Sequence, residues 1–176
     1  MSILVKWDYR EGAYKYYLGI HGEDTFEEEL DLLSFLDTSG DISYDYYIKK
    51  TEDRMGGELT DEPSILSVHE IDEDDYCKVF GSVVSPNGLP VGNAIVEAFV
   101  HEEDEPQFDE NNGYVRPEEY TFTSDLGKFQ VYLRRGERFV IRIPKTGYKM
   151  WFMVPDQDSA ELKDIEGTSL VIRNPF

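Results

Sequence analysis

The second half of the chain consists of short apolar segments separated by turn residues, and this pattern restricts the fold more than any other feature. Apolar and polar side chains alternate over residues 79–84 and 94–100, as in strands with one buried face. Residues 85–88 and 124–127 carry the Ser, Pro, Asn, Asp and Gly of turns. Further strands are predicted at residues 120–123, 128–133, 138–143, 148–154 and 169–173. Short strands without a helical pattern predict a β-sandwich from residue 76 to the C-terminus.

The same pattern predicts which residues form the core and the bends of this sandwich. Six inward positions are expected to be buried: Val83, Ala94, Val96, Phe129, Val131 and Ile141. Three glycines are expected at or near turns or bends: Gly81, Gly127 and Gly136. The single cysteine, Cys77, precedes an apolar run, so a buried and inert thiol is predicted. One cysteine also excludes an intrachain disulfide.

Residues 1–75 predict a small α+β region. Their aromatic and β-branched segments indicate a β-hairpin followed by two more strands, with bounds 3–9 and 13–20 for the hairpin and 42–50 and 65–71 for the strands. The acidic run at residues 72–75 is the predicted boundary with a second domain at residues 76–176.

A helix is predicted between the hairpin and these strands, over residues 25–37. Asp24 or Thr25 can cap it, and Glu27 to Glu29 lie in its first turn, where the helix dipole favours negative charge. Four apolar residues recur at three- and four-residue spacing: Phe26, Leu30, Leu33 and Leu36. Gly40 suits the end of the helix.

Residues 79–154 resemble a known family through a set of spaced glycines and apolar residues. The matching residues are Gly81, Val83, Gly88, Pro90, Gly92, Ala94, Val96, Thr123, Asp125, Gly127, Phe129, 133–136, Gly147 and Tyr148. On these residues the segment resembles the carboxypeptidase regulatory-like domain family, small transthyretin-like β-sandwiches of about seven strands. The resemblance implies a Greek-key, immunoglobulin-like sandwich that acts as a spacer, recognition module or docking piece without catalysis. The acidic insertion at residues 101–119 departs from the family pattern.

The chain carries a formal net charge of −20, which is concentrated near its N-terminus. Residues 1–75 hold 21 acidic and 6 basic side chains, a net of −15, whereas residues 76–176 have a net of −5. Such a charge disfavours nucleic acid, which proteins bind by neutralising phosphates with Lys and Arg. It also disfavours an anionic membrane surface. Protein partners are therefore expected, either copies of this chain or other subunits of an assembly.

Residues 128–149 reverse this trend, with seven basic side chains and one acidic side chain, a net of +6. The segment 102–119 has a net of −7. Either the two segments pair internally, or the basic segment docks onto an acidic partner such as the N-terminal half of a neighbouring copy. Nucleic acid is a third interpretation, which the acidic remainder opposes. The candidate interface residues are Arg134, Arg135, Arg138, Arg142, Lys145 and Lys149.

Tyr114 and Tyr120 raise the question of an iron site, because the intradiol ring-cleaving dioxygenases use a similar sandwich. That family holds non-haem iron with two Tyr and two His. The three histidines of this chain, His21, His69 and His101, all precede the two tyrosines, whereas the family's pair follows them. The sequence therefore predicts no catalytic residue and no cofactor, and an iron-dependent dioxygenase-like enzyme is only a remote alternative.

Other chemical motifs are absent from the sequence. It contains no closely spaced His or Cys pair, no Gly-rich phosphate loop and no Gly-x-Ser-x-Gly turn. The acidic runs at residues 72–75 and 102–105 lack the alternating ligands and central Gly of a calcium loop, so solvated acids are predicted there.

These features predict a structural, non-enzymatic subunit of a larger particle. The segment from Met1 to Asp8 has no basic and apolar leader pattern, and no stretch approaches the ~20 apolar residues of a membrane helix, so synthesis and folding in the cytoplasm are expected. A bacteriophage virion protein of the neck, connector, tail or capsid decoration fits this expectation. The alternative is a monomeric carbohydrate- or protein-binding module, with a sugar platform formed by Tyr114, Tyr120, Tyr148 and Trp151.

Overall fold

The computed structural model describes residues 1–100, 118–165 and 167–169, and in them the chain is mainly β. The strands are β1 (Ser2–Trp7), β2 (Lys15–Ile20), β3 (Glu23–Leu30), β4 (Ser34–Asp37), β5 (Tyr46–Glu52), β6 (Glu58–Leu59), β7 (Ile65–Ile71), β8 (Tyr76–Ser82), β9 (Ile95–Val100), β10 (Glu119–Phe122), β11 (Lys128–Arg134), β12 (Arg138–Ile143), β13 (Tyr148–Met153), β14 (Ser159–Glu161) and β15 (Gly167–Ser169). Three single 3-10 turns are the only helical elements of the described residues, at Glu73–Asp75, Pro144–Thr146 and Leu162–Asp164.

The N-terminal half, strands β1 to β7, consists of two sheets around one core. A three-stranded sheet has the order β4-β1-β7, and a four-stranded sheet has the order β3-β2-β5-β6. Their facing side chains include Trp7, Tyr16 and Leu18, each at most 1% exposed. This arrangement is consistent with a β-sandwich, in which two sheets bury one face each.

The predicted helix at residues 25–37 is wrong, because this segment forms β3, a bend and β4. Leu30 lies opposite Tyr16 in the β2–β3 ladder, and the Phe26 ring lies 6.3 Å from that of Phe35. Two short strands with a bend between them bring apolar residues to the same core as a helical stripe would. A lone helix of this length is only marginally stable in water, so pairing with the aromatic strand β2 prevails.

The predicted hairpin of residues 3–9 and 13–20 is also wrong, because β1 and β2 belong to different sheets. Between them the chain turns at Gly12, which has a φ of +81°. The predicted strand at residues 42–50 starts later, at Tyr46, and the strand at residues 65–71 is confirmed as β7. The turn at residues 10–13, in which the Ala13 amide donates to the Arg10 carbonyl oxygen at 3.1 Å, therefore carries the chain from one sheet to the other.

The C-terminal half, strands β8 to β15, again consists of two sheets. One has the order β11-β8-β14 and the other the order β10-β9-β12-β13-β15. All six predicted core residues are buried, and Cys77 is fully buried beside them. Strand β14, which pairs in parallel with β8, had no counterpart among the predictions. The predicted strand at residues 169–173 lies largely outside the described residues.

Two of the three predicted glycine turns are confirmed. Gly127 has a φ of +73°, and a Cβ there would lie 2.3 Å from the Val83 carbonyl oxygen, so no other residue fits. Gly136 has a φ of +70° in the turn between β11 and β12. Gly81 instead lies within β8, where its missing side chain leaves room for the Phe129 ring.

The two halves share one connectivity. The first strand of each half pairs with the fourth and the seventh strands, β1 with β4 and β7, and β8 with β11 and β14. The second strand pairs with the third and fifth, and the fifth with the sixth, in both halves. The seventh strand differs, because β7 is antiparallel to β1 whereas β14 is parallel to β8. The amino-acid sequence contains no repeat that corresponds to this shared strand order.

Polar contacts join the halves along the outer faces of β1, β4 and β11. The Gln130 amide nitrogen donates to the carbonyl and the hydroxyl oxygens of Ser34, both at 2.9 Å, and both residues are buried. Three further pairs bridge the halves: Lys6 with Glu119, Asp31 with Lys128, and the Tyr9 hydroxyl with Asp125. The Gln130–Ser34 and Lys6–Glu119 contacts are largely removed from water, whereas Asp31 and Lys128 are partly exposed. The buried contacts therefore fix one half against the other.

Candidate functional site

The outer face of the five-stranded sheet carries three of the six basic residues predicted to form an interface: Arg138, Arg142 and Lys149. Strand alternation sends Val96, Ala98 and Ile141 into the core, so their neighbours in sequence point outward. The register then places Phe99 opposite Val140, and Val140 opposite Trp151. These three side chains form one row across β9, β12 and β13, which we call the aromatic row.

A charged row lies beside the aromatic row. Register places Arg142 opposite both Glu97 and Lys149. The Arg142 guanidinium donates to Glu97 from Nε and Nη2, each at 2.8 Å. It also lies 5.1 Å from the centre of the Phe99 ring, and the Lys149 ammonium lies 4.8 Å from that of Trp151. Both cations are therefore held against aromatic faces, a geometry that orders their long side chains.

We call this surface the basic face: Phe99, Arg138, Val140, Arg142, Lys149, Trp151 and Met153. Arg138 and Met153 lie opposite each other at its far side. Val140 is 8% exposed, so the surface consists mainly of the aromatic rings, Met153 and the cations. This composition matches that of protein interfaces, where aromatic residues, Met and Arg are enriched.

Arg135 does not belong to this face, although the sequence made it a candidate interface residue. Its guanidinium donates to the carbonyl oxygens of Tyr76 and Glu73 and to the Asp158 carboxylate. Only 19% of the side chain is exposed. Arg135 therefore fastens the turn after β11 to the start of β8, which is a structural role.

Arg134 and Lys145 also lie away from the basic face. Arg134 is close to Glu137 at 3.9 Å, and the Lys145 ammonium donates to the Gly92 carbonyl oxygen at 2.8 Å. Internal pairing does occur, with Glu97, Asp158 and Glu137 as acidic partners. The predicted partner segment 102–119 lies outside the described residues except for Glu118 and Glu119.

The four aromatic residues of the predicted sugar platform do not share one surface. Trp151 and Tyr120 lie on the same sheet face, but β9 and β12 separate their strands. Tyr148 points to the opposite side and packs against the core, where burial raises the pKa of its hydroxyl. Tyr114 lies outside the described residues. The prediction that Tyr148 belongs to a sugar platform with Trp151 is therefore wrong.

The two described histidines, His21 and His69, lie in different surroundings. His21 stacks on the Tyr47 ring at 4.1 Å near the N-terminal sheet, whereas His69 lies between the halves, where burial lowers its pKa. His101 lies outside the described residues. Among the described residues, no group of three or more His, Cys, Asp and Glu side chains could hold a metal ion.

Residues of the acidic run 72–75 form hydrogen bonds with nearby groups. The Asp72 carboxylate accepts from the Asp74 amide and caps the 3-10 turn Glu73–Asp75. Glu73 accepts a hydrogen bond from the Ser2 hydroxyl. The second acidic run, residues 102–105, lies outside the described residues. Burial raises the pKa of the Cys77 thiol, as expected for an unreactive cysteine.

No protein-family model matches the chain, and neither a curated protein nor a solved structure matches it. Within the described residues, no helix is long and apolar enough to cross a membrane. The functional interpretation of the basic face thus rests on its own residues.

Proposed function

We propose that this protein is a structural subunit of a larger assembly and that the basic face docks onto an acidic neighbour. The observation that carries the proposal is the pair of adjacent rows, one aromatic and one charged, on the outer face of the five-stranded sheet. Arg142 and Lys149 are preordered over Phe99 and Trp151, so docking would cost little further side-chain entropy. The role requires no catalytic chemistry.

The acidic neighbour proposed here is strand β3 of another copy of the chain. Strand β3 pairs with β2 on one edge only, and its side chains include Glu23, Asp24, Glu27, Glu28 and Glu29. Basic face and β3 lie in different halves, so their contact joins copies head to tail. Such heterologous contacts build rings or filaments, the geometry of a repeating particle. A bacteriophage virion is the assembly that we propose.

The fold proposed for the C-terminal half is the transthyretin-like Greek-key sandwich of the carboxypeptidase regulatory-like family. Its support is the number and arrangement of strands, because β8 to β14 supply seven strands in two sheets. The glycine turns at Gly127 and Gly136 also fall where the resemblance places them. In that family the sandwich serves as a docking or spacer module, in keeping with an assembly role.

Charge reversal on the basic face tests the docking proposal. The variant Lys149→Glu/Met153→Glu adds two acids to the face and keeps both members of the Arg142–Glu97 pair, although the new Glu at 149 lies opposite Arg142. Its matched control is Arg54→Glu/Met55→Glu, which makes the same change of charge at the exposed tip between β5 and β6. Sedimentation velocity at ~0.05 M salt should show oligomers for the native chain and the control, and monomers for the face variant.

A second variant identifies the acidic side of the contact. Glu28 is exposed on β3, and Glu28→Lys should also yield monomers. Mixing it with the face variant should restore one heterodimeric contact, because the two changes exchange the charges of the partners. Oligomers that persist in the face variant and melt at an unchanged temperature would exclude the basic face as a docking surface. A native chain that stays monomeric at all concentrations would reject self-assembly.

A further inference from the structure

A cleft of about 330 Å³ lies between the two halves, apart from the basic face. One wall is the bend between β3 and β4, with Asp31 and Leu32. The floor is the outer face of the sheet β11-β8-β14. Ligand sites are common at such junctions between packed units, and this volume is at the lower end of their usual range.

The floor of the cleft is an aromatic ring surrounded by polar groups. Phe80 is its central residue, and register places Gln130 and Glu161 opposite it on the two neighbouring strands. Lys78 and Ser82 lie two residues before and after Phe80, on the same face of β8. The cleft thus offers an apolar platform bordered by a carboxylate, an ammonium and a hydroxyl group, and by the oxygen of the Gln130 amide, whose nitrogen donates to Ser34.

The charges of the residues that line the cleft balance. Lys78 and Lys128 contribute two positive charges, and Asp31 and Glu161 contribute two negative charges. Asp31 forms an ion pair with Lys128, and Glu161 forms one with Lys163 beside the cleft at 2.9 Å. The Lys78 ammonium lies 5.9 Å from the centre of the Phe80 ring. An anion or cation would therefore gain little net attraction. A wholly apolar ligand would remove these charged groups from water without replacing their hydrogen bonds.

We propose that this cleft binds a neutral sugar ring that stacks on Phe80. A pyranose has a flat C–H face that suits an aromatic platform and a rim of hydroxyl groups that both donate and accept. The Glu161 carboxylate accepts from these hydroxyls, and the Lys78 ammonium donates to them. The site differs from the sugar platform considered from the sequence and does not depend on the assembly role.

Ligand-observed NMR with defined sugars tests the proposal. The neutral probes are glucose, galactose, mannose and N-acetylglucosamine, and the charged comparison probes are glucuronate and glucosamine. At least one neutral sugar should bind with a dissociation constant in the millimolar range, and more tightly than either charged sugar. Failure of every neutral probe at about 50 mM, or tighter binding of a charged probe, would overturn the proposal.

Substitution of the platform locates the bound sugar. Phe80→Ala should weaken binding at least about tenfold, because the stacking surface is lost. Its matched control is Phe99→Ala, which removes another half-buried aromatic ring that lies beneath a cation, and which should leave affinity unchanged. Equal affinity of Phe80→Ala and the native chain would place the sugar elsewhere and refute the site.

Two further variants test the site even if Phe80→Ala fails to fold. Phe80→Trp keeps a flat platform, so it should retain binding and should add a tryptophan whose emission changes with sugar. Glu161→Gln keeps the size of the side chain but removes the negative acceptor, and should weaken binding by about threefold or more. Sugar binding without an emission change in Phe80→Trp would contradict stacking on this residue.

Discussion

The two halves of the molecule share a strand order but bury different kinds of side chain. The C-terminal core is mostly aliphatic, with Val79, Val96 and Ile141 fully buried. The N-terminal core contains Trp7 and Tyr16, and a nearby tyrosine, Tyr46, bonds to a buried carboxylate. One pattern of strand pairing is thus compatible with an aliphatic core and with a core of aromatic residues that carry polar atoms.

The position of β1 explains part of this difference. Its burial is almost continuous, because Ile3 and Val5 face the N-terminal core while Ser2 and Leu4 face the other half. A strand covered on both faces loses the alternation of apolar and polar residues. The N-terminal half is therefore a sandwich whose inner sheet is itself covered by the second sandwich.

The largest loss of stability is expected from a substitution in the aliphatic core of the C-terminal half. Phe129 is 2% exposed, so Phe129→Ala should lower the free energy of unfolding by about 3–5 kcal/mol. Phe99→Ala, on the outer face of the same half, should cost clearly less. Urea unfolding monitored by circular dichroism measures both. An undetectable loss in Phe129→Ala would contradict the assigned core.

The same variant shows whether the halves unfold together. Trp7 lies in the N-terminal core and Trp151 on the C-terminal sheet, so variants that keep one tryptophan report on one half each. Phe129→Ala should shift both signals to the same lower midpoint, because buried polar contacts couple the halves. A shift of the Trp151 signal alone would establish two independent units.

An intermediate effect is expected at the contact between the halves. Gln130→Leu leaves the buried Ser34 carbonyl and hydroxyl without this donor, and should cost about 1–3 kcal/mol. Gln157→Leu, at an exposed glutamine whose amide also donates to a carbonyl, is the matched control. If Gln130 joins the halves, its variant should also separate the two tryptophan transitions. Unchanged stability would mean that water replaces the lost hydrogen bonds.

The sequence predicted the C-terminal half well because its strands each bury one face. Alternation identified Val96 and Phe129 as buried, and the turn residues of the sequence identified Gly127 and Gly136, which have a positive φ in the structure. Strand β14 was missed because three residues are too short for a periodic signal. The apolar spacing of residues 26–36 fits a helix as well as two bent strands, and only pairing with β2 distinguishes them.

The basic face could be predicted in part. Net charge along the chain indicated residues 134–149, and alternation of β12 and β13 then places Arg138, Arg142 and Lys149 on one surface. The inward orientation of Tyr148 follows from the same alternation, once the strand is known. The hydrogen bonds of Arg135 and the cleft around Phe80 could not be predicted, because they join residues that are far apart in the sequence.

The smallest expected effect concerns the tyrosine hydroxyls that distinguish the N-terminal half. The Tyr46 hydroxyl donates to the Asp37 carboxylate at 2.8 Å, and both residues are buried. Tyr46→Phe should cost about 1.5 kcal/mol, because the buried carboxylate loses a donor. Tyr132→Phe is the comparison in the C-terminal half, where burial raises the pKa to about 12 without a described hydrogen bond. Its cost should be below about 0.5 kcal/mol.

The stability of the two proteins at alkaline pH tests the same hydrogen bond. Burial and the hydrogen bond to Asp37 raise the pKa of Tyr46 well above its usual range. A raised pKa means that the unfolded state releases this proton first, so the native chain should lose stability as the pH rises above about 10. Tyr46→Phe should show a shallower loss, and its stability should approach that of the native chain toward pH 11. Parallel pH profiles of the two proteins would show that Tyr46 ionises alike in the folded and unfolded states, contrary to the contact with Asp37.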